Sequence, residues 1–145
     1  MKLSTRSRYG VRMMYELALQ FGKEAVIIRD IAERQDISEK YLSKLIMPLK
    51  GAKLVNSARG SHGGYILARD PSSITLREIV EVMEGGISVV ECVKNSEICG
   101  RSNECPTRDI WNGLDKSIFS YLESITLEEI VKRGKGFDAN SSYCI

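Results

Sequence analysis

No run of 18 consecutive apolar residues occurs in this chain, so no membrane-spanning helix is expected. The opening Met-Lys-Leu-Ser-Thr-Arg-Ser-Arg leads into no apolar signal core, and the expected location is cytoplasmic. Histidine is almost missing, with His62 the single example. One histidine in a Gly-rich turn supplies no Ser/His/Asp or Cys/His pair, so no enzyme is expected. That turn, Arg59-Gly60-Ser61-His62-Gly63-Gly64, also lacks a Gly-Lys-Ser/Thr ending and lies between strand-like runs, which excludes a nucleotide-phosphate loop. Cysteine is sparse, at four residues. None has another within four positions, whereas zinc sites usually space two ligands that closely.

What remains is a chain able to fold and unevenly charged. With 145 residues, 43% of them hydrophobic, there is room for one domain, or for a small domain plus an arm. The net charge of +2 hides a division. Residues 1–60 hold 12 Lys and Arg against 6 Asp and Glu, while residues 61–145 hold 9 against 13. A basic front and an acidic back fit a polyanion met by the front alone; scattered solvated charge is the plainer alternative.

Residues 5–21 read as an amphipathic helix with Val11, Met14, Tyr15, Ala18 and Phe21 on one face, ended by Gly22 and Lys23. A short helix over 28–35 turns Ile31 and Ala32 inward. A tight turn at Asp36 and Ile37 leads to Ser38, a good N-cap, and to a third helix from about Glu39 to Lys50. Leu42, Leu45, Ile46 and Leu49 make its apolar stripe. Glu39 suits the positive N-terminal end and Gly51 the C-terminal end. Pro48 should distort or shorten the last turn. Residues 54–58, the Gly-rich turn and residues 65–68 then read as a hairpin. Helix, helix–turn–helix and hairpin is the order of a winged helix.

Two later octets, 73–80 and 124–131, differ at one position. Each holds Thr-x-x-Glu, a capping box, so both read as short helices that share a cap rather than as a duplication. Between them, the stretch 91–106 carries Cys92, Cys99 and Cys105 without periodicity and reads as a loop. A helix from Thr107 to Ser124 follows, with Ile110, Trp111, Leu114, Ile118, Tyr121, Leu122 and Ile125 on a continuous apolar seam. From Gly134 to Ile145 the chain reads as a poorly ordered tail. The expected division is 1–84 for the winged helix, 85–106 for the cysteine-bearing loop, 107–133 for the long helix and a short capping helix, and 134–145 for the tail.

On the third helix, Lys40, Tyr41, Ser43, Lys44 and Met47 fall outside the apolar stripe. A helix fits the major groove of B-DNA. Lys44 is then a candidate donor to guanine, and Ser38 and Tyr41 to phosphate or base. Lys40 is a candidate phosphate contact, though both lysines also read as ordinary surface residues. Arg59, next to Gly60 at the wing tip, suits a narrow A·T minor groove. His62 suits a phosphate, or is simply a turn residue.

Six motifs spread over residues 2–67 are more specific. They are Lys2-Leu3-Ser4-Thr5 followed by Arg8-Tyr9-Gly10-Val11, then Asp30-Ile31-Ala32-Glu33-Arg34-Gln35 and Ile37-Ser38-x-x-Tyr41-Leu42. Gly51-Ala52-x-Leu54-Val55 and Arg59-Gly60-x-x-Gly63-Gly64-Tyr65-x-Leu67 complete the set. On these residues the chain, from Met1 to about Arg133, resembles the Rrf-two (BadM-type) winged-helix transcription regulators, and among them those that hold an iron–sulfur cluster. The resemblance implies a mainly α fold with a small β-hairpin wing: a winged helix-turn-helix plus a long C-terminal dimerisation helix. It implies a homodimer on double-stranded DNA, at a pseudo-palindromic operator, with roles for Ser38, Tyr41, Lys44 and Arg59; Lys40 and Gly60 join them as candidate DNA-binding residues. The dimer contact would run along the seam from Ile110 to Ile125.

Thiolates are soft ligands that suit iron–sulfur clusters, zinc or copper(I). Clustered cysteines in a reducing compartment more often bind metal or sense redox state than pair. Separate unliganded thiols are the alternative. The resemblance gives Cys92, Cys99 and Cys105 the cluster, 2Fe–2S by analogy, although three thiolates and an open position also suit 4Fe–4S. The chain departs from the family pattern twice. Arg108 stands where a histidine often follows the last cysteine by three residues, and a permanently protonated guanidinium cannot ligate metal. Arg8 stands where nitric-oxide-sensing members place an acidic residue. The fourth ligand is thereby left among Glu97, Glu104, Cys144, solvent or an exogenous thiol. Competing readings are a regulator that senses thiols, nitric oxide or a metabolite without a cluster, an iron–sulfur electron-transfer protein, and a zinc-binding adaptor.

Overall fold

Ser4 starts the fold by accepting the Ser7 N–H on its hydroxyl at 3.1 Å. Helix α1, Thr5–Leu19, runs from this cap. The computed structural model describes residues 2–61 and 63–141, so His62 and Cys144 lie outside the described residues. After α1 come α2 (Ile28–Gln35), α3 (Glu39–Gly51), strands β1 (Val55–Ala58) and β2 (Gly64–Leu67), and α4 (Leu76–Glu84). The single-turn α5 (Glu91–Lys94), α6 (Pro106–Ser124) and α7 (Leu127–Ser141) complete the order. The architecture is mainly helical with one antiparallel hairpin, as expected.

Helix α1 is the axis of the core and packs against α2, α3, α4, α7 and β2. This explains a difference from the sequence reading. Of the expected face Met14 and Ala18 are buried, but so are Met13 and Leu17, while Val11 and Tyr15 are only partly covered and Phe21 lies exposed beyond the helix end. A helix surrounded on several sides has no single apolar face for periodicity to find. The helix also stops two residues sooner than expected, and Gly22 makes the following turn at φ 77°.

Helix α3 buries Leu42, Leu45, Ile46 and Leu49, as its stripe requires. Burying each contributes about 2 kcal/mol, which is enough to carry the helix through Pro48. The proline removes one backbone bond, to the Lys44 carbonyl, without shortening the last turn. Nor does Gly51 close the helix. Lys53 takes the left-handed conformation at φ 60°, its N–H bonds the Lys50 carbonyl at 3.0 Å, and the Leu54 N–H bonds the Leu49 carbonyl at 3.0 Å. This is a Schellman closure in which the apolar pair Leu49 and Leu54 is buried.

The two near-identical octets meet in space. Leu76 N–H donates to the Ile125 carbonyl at 2.7 Å and Leu127 N–H to the Ile74 carbonyl at 3.0 Å, making an antiparallel bridge between Thr75 and Thr126. Thr75 and Glu78 form the full capping box, and Thr126 accepts the Glu129 N–H at 3.2 Å. Ile74 and Leu127 are both fully buried beneath this clasp. Helix α7 is not short. It continues past Gly134 to Ser141, where the composition suggested an irregular tail, and Gly134 is where α7 meets the Tyr15 hydroxyl of α1. At the other end of α1, Glu84 accepts from the Ser4 N–H at 2.9 Å, the Ser4 hydroxyl at 2.7 Å and the Ser7 hydroxyl. The Ser7 hydroxyl first, then Ser4, holds the Glu84 carboxyl below the usual carboxylate range. This contact is therefore in place at neutral pH and is lost as the carboxyl protonates in acid. Among the described residues, no helix is long and apolar enough to cross a membrane.

Candidate functional site

The helix–turn–helix, α2 and α3, is bolted to α1 by a buried carboxylate. Glu16 is 4% exposed and accepts from the side chains of Gln35 and, at 3.4 Å, Arg34. Arg12 donates to the Gln35 side chain at 2.8 Å and to its carbonyl. A buried charge is tolerated only when it is satisfied in this way. Asp36 then turns the chain at φ 51°, and Ile37 N–H returns to the Ala32 carbonyl at 3.1 Å. Arg34 and Gln35 belong to one of the sequence motifs, but nothing in their spacing pointed to Glu16 or Arg12 as their partners.

The turn delivers Ser38 as the N-cap of α3, accepting the Tyr41 N–H at 3.3 Å. Lys40, Ser43, Lys44 and Met47 are all exposed along one face of α3, opposite the apolar stripe. Tyr41 is half-buried, its ring edge-on to Tyr9 of α1 with centroids 5.9 Å apart, and the Arg12 guanidinium lies 5.3 Å from the Tyr9 centroid. Tyr41 thus joins the exposed face to the α1 frame.

In the hairpin, Val55 pairs with Leu67 and Ala58 with Gly64. Val55 and Leu67 are buried, whereas Arg59 and Gly60 are exposed at the tip, with Gly60 at φ 124°. The wing does not stand free. Val26, just ahead of α2, exchanges two backbone bonds with Tyr65, at 2.9 and 2.8 Å. Gly64 permits this approach: a Cβ there would lie 2.5 Å from the Val26 carbonyl oxygen. In the sequence Gly64 read as part of the Gly-rich turn and of the wing motif, without a partner for it. The Lys50 ammonium lies 5.8 Å from the Tyr65 ring centroid, adding a further cation between α3 and the wing.

Between α4 and α6 the chain turns at Gly85 (φ 75°) and Gly86 (φ 115°). Asp115 of α6, 5% exposed, then fastens the next residues by accepting the Val89 N–H at 2.7 Å and the Ser88 hydroxyl at 3.2 Å. The cysteine stretch is not an unstructured loop. Cys92 lies in α5, a 3₁₀ turn over Ser96–Ile98 precedes Cys99, and Cys105 caps α6 ahead of Pro106. Cys99 is exposed, and Cys92 and Cys105 are partly so; all three thiols are free. Arg108 braces this stretch. Its guanidinium donates to the Cys92 carbonyl at 3.0 Å and to the Ser102 carbonyl at 3.4 Å, holding the stretch to α6. Glu97 and Glu104 are both exposed. A cavity of about 270 Å³ beside Cys105 is lined by Ser102, Asn103, Arg108 and Asn112 among others.

Donor chemistry here suits a soft metal group. The Thr107 hydroxyl, the Arg108 and Thr107 N–H groups at the start of α6 and the nearby Arg101 charge hold the Cys105 thiol below its ordinary value. The arrangement is open, however. Among the described residues, no three His, Cys, Asp or Glu side chains converge as a metal-binding group, so the segment must close before its thiols can share a ligand. The lowered thiol has a direct consequence in the metal-free protein. Alkylation of Cys105 should follow a pH midpoint below the roughly 8.5 of a free thiol, and Thr107→Val should raise that midpoint. Mass spectrometry of iodoacetamide-treated peptides across pH measures it; a Cys105 midpoint at or above the free-thiol value contradicts the assigned environment.

A helix–turn–helix and a strand-anchored wing, both edged with cations, define a winged-helix DNA-binding protein. Residues 3–133 match the Rrf2 family, described as "Iron-dependent Transcriptional regulator". The chain belongs to this family of DNA-binding transcription regulators. It is 41% identical over 132 residues to Protein rrf2 of Nitratidesulfovibrio vulgaris, covering 91% of this chain and 88% of that protein. Among solved structures, CymR (YrzC), the global cysteine regulator of Bacillus subtilis, superposes with a TM-score of 0.79 at 37% identity, over 92% of this chain and 98% of that one. T. potens IscR superposes with a TM-score of 0.76 at 40% identity, over 92% and 88%. These relatives are regulators rather than enzymes, in agreement with the lone histidine.

Proposed function

We propose that the chain is a homodimeric, sequence-specific regulator that reads a pseudo-palindromic operator with α3 and the wing, and whose DNA affinity depends on an iron–sulfur cluster held by Cys92, Cys99 and Cys105. The observation that carries the DNA reading is the union, on one frame, of the exposed stripe of α3 with the Arg59 tip of a wing tied to Val26. In a twofold dimer these elements meet successive turns of the duplex. Lys44 donates to a guanine, Arg59 enters the minor groove, Lys40 and the Ser38 hydroxyl hold phosphate, and Gly60 lets the tip approach closely. Tyr41 fixes the angle of α3. The surface that favours a dimer is on α6, where Ile110, Trp111, Leu114 and Tyr121 are exposed while Leu122 and Ile125 are buried.

Arg59→Ala should weaken binding to the selected duplex by about 1–3 kcal/mol and hardly touch random duplex. Lys40→Ala should weaken both alike and reduce the salt slope by roughly one. Fluorescence anisotropy across a salt series separates the two, and equal loss on both duplexes for Arg59→Ala removes its reading role.

Three things support the cluster: three free thiols in one segment, the thiolate-favouring site at Cys105, and a family described as iron-dependent. When bound, a cluster supplies iron that is sensitive to oxidants. The chain's own part is to offer three thiolates while Arg108 and Asp115 hold both ends of the segment to α6. Protein reconstituted anaerobically should show visible absorption with iron and sulfide in equal numbers, and Cys92→Ala, Cys99→Ala or Cys105→Ala should each abolish it. Absence of colour and iron in the wild type would remove the cluster and leave the DNA reading intact. A second reading, thiol sensing without a cluster, is favoured by the Cys105 site and by the likeness to a global cysteine regulator. It predicts reactivity at Cys105 with no iron.

A further inference from the structure

Among the described residues of the winged helix, four large apolar side chains stand exposed: Leu3, Phe21, Met47 and Ile66. Leu3 lines the grooves beside α6, and Phe21 and Ile66 share a groove behind the wing. Met47 belongs to none of these. It is the most exposed of the four, at 60%. Its neighbours three, four and seven positions earlier on α3 are Lys44, Ser43 and Lys40, all exposed. The core stripe is on the opposite side of the helix, so folding does not ask for an apolar residue here.

A duplex does. The thymine 5-methyl is the apolar group that the major groove displays, and it marks an A·T pair unambiguously. A lysine-edged helix face that carries one long, flexible thioether can meet it. Ser43 is a weaker candidate for base reading, because its hydroxyl already donates to the Glu39 carbonyl at 2.9 Å. We propose that Met47 is a specificity-determining residue that packs on the 5-methyl group of one thymine per half-site, one helical turn beyond the base met by Lys44. This rests on the reading above in which α3 enters the major groove.

The test begins with selection of a bound duplex from a random library by the full-length protein. Each thymine of that duplex is then replaced in turn by deoxyuridine, which removes only the methyl. Wild type should lose about fourfold in affinity per half-site at one position, the worth of one buried methyl group. Met47→Ala should bind thymine and uracil duplexes alike, and Met47→Leu should keep the preference. Both variants should melt with wild type. If no uracil position weakens the wild type, or if Met47→Ala keeps the same preference for thymine, the proposal is overturned while operator binding stands. If the wild type selects no duplex at all, both readings fall together.

Discussion

Gly64→Ala should lower the melting temperature by roughly 5–10 °C and weaken operator-specific binding at least as much as Arg59→Ala does. A methyl group at this position would lie 2.5 Å from the Val26 carbonyl oxygen, 2.7 Å from its carbon and 3.1 Å from the Ile27 nitrogen. All three are backbone atoms, so no side chain can rotate away. The chain must part Val26 from Tyr65 and forfeit bonds of 2.9 and 2.8 Å. Two backbone bonds at about 1 kcal/mol each, plus the residual crowding, come to about 2–3 kcal/mol. In a chain of this size each kcal/mol moves the midpoint by roughly 2–4 °C. Binding suffers as well as stability because Arg59 is carried by the displaced hairpin. Circular dichroism melts and anisotropy with the selected duplex read the two effects. An unchanged midpoint would mean that the strand pair at Val26 is not formed in solution.

The second large effect is Leu127→Ala. Leu127 is fully buried beneath the clasp where the repeated octets meet. Truncating such a leucine costs about 2–5 kcal/mol, because the surroundings close only partly over the lost volume. The melting temperature should fall by roughly 6–15 °C, measured at one fixed chain concentration because association adds to apparent stability. Below the transition, affinity for the operator should be that of wild type, since no duplex-facing residue has moved. Loss of binding at temperatures where the variant is still folded would mean that α7 acts on DNA recognition directly.

Much of the fold was legible where local chemistry decides it. The stripe from Leu42 to Leu49 and the Ser38 cap specify α3 without help from the rest of the chain, and the capping box at Thr75 marks the start of α4, which runs on to Glu84 beyond the octet. Legibility fails where distant partners decide. The buried side of α1 cannot be read from its own spacing because five elements share it. The resemblance of the two octets was visible, but not that they lie against each other, since register between distant segments leaves no local trace. Gly64 shows the same limit: a glycine in a turn and a glycine under a crossing strand are the same letter. At the candidate site, the exposure of Lys40 and Lys44 followed from their place outside the apolar stripe, and that of Arg59 from its place at the wing tip. The roles of Glu16, Asp115 and Arg108 were not legible, because each is defined by groups 6 to 27 positions away.

The bond pair at Val26 makes the wing, α1 and the helix–turn–helix one stiff reading head. If the head moves as one body, a signal from the far end of the chain changes where it sits and not which bases it prefers. Gly85 and Gly86, at φ 75° and 115°, turn the chain just outside it. In a twofold assembly the adjustable quantity is then the phase between two heads, not the bases either one reads. Operators with the same half-sites but spacers one base pair longer or shorter are where two regulatory states of this protein would part company.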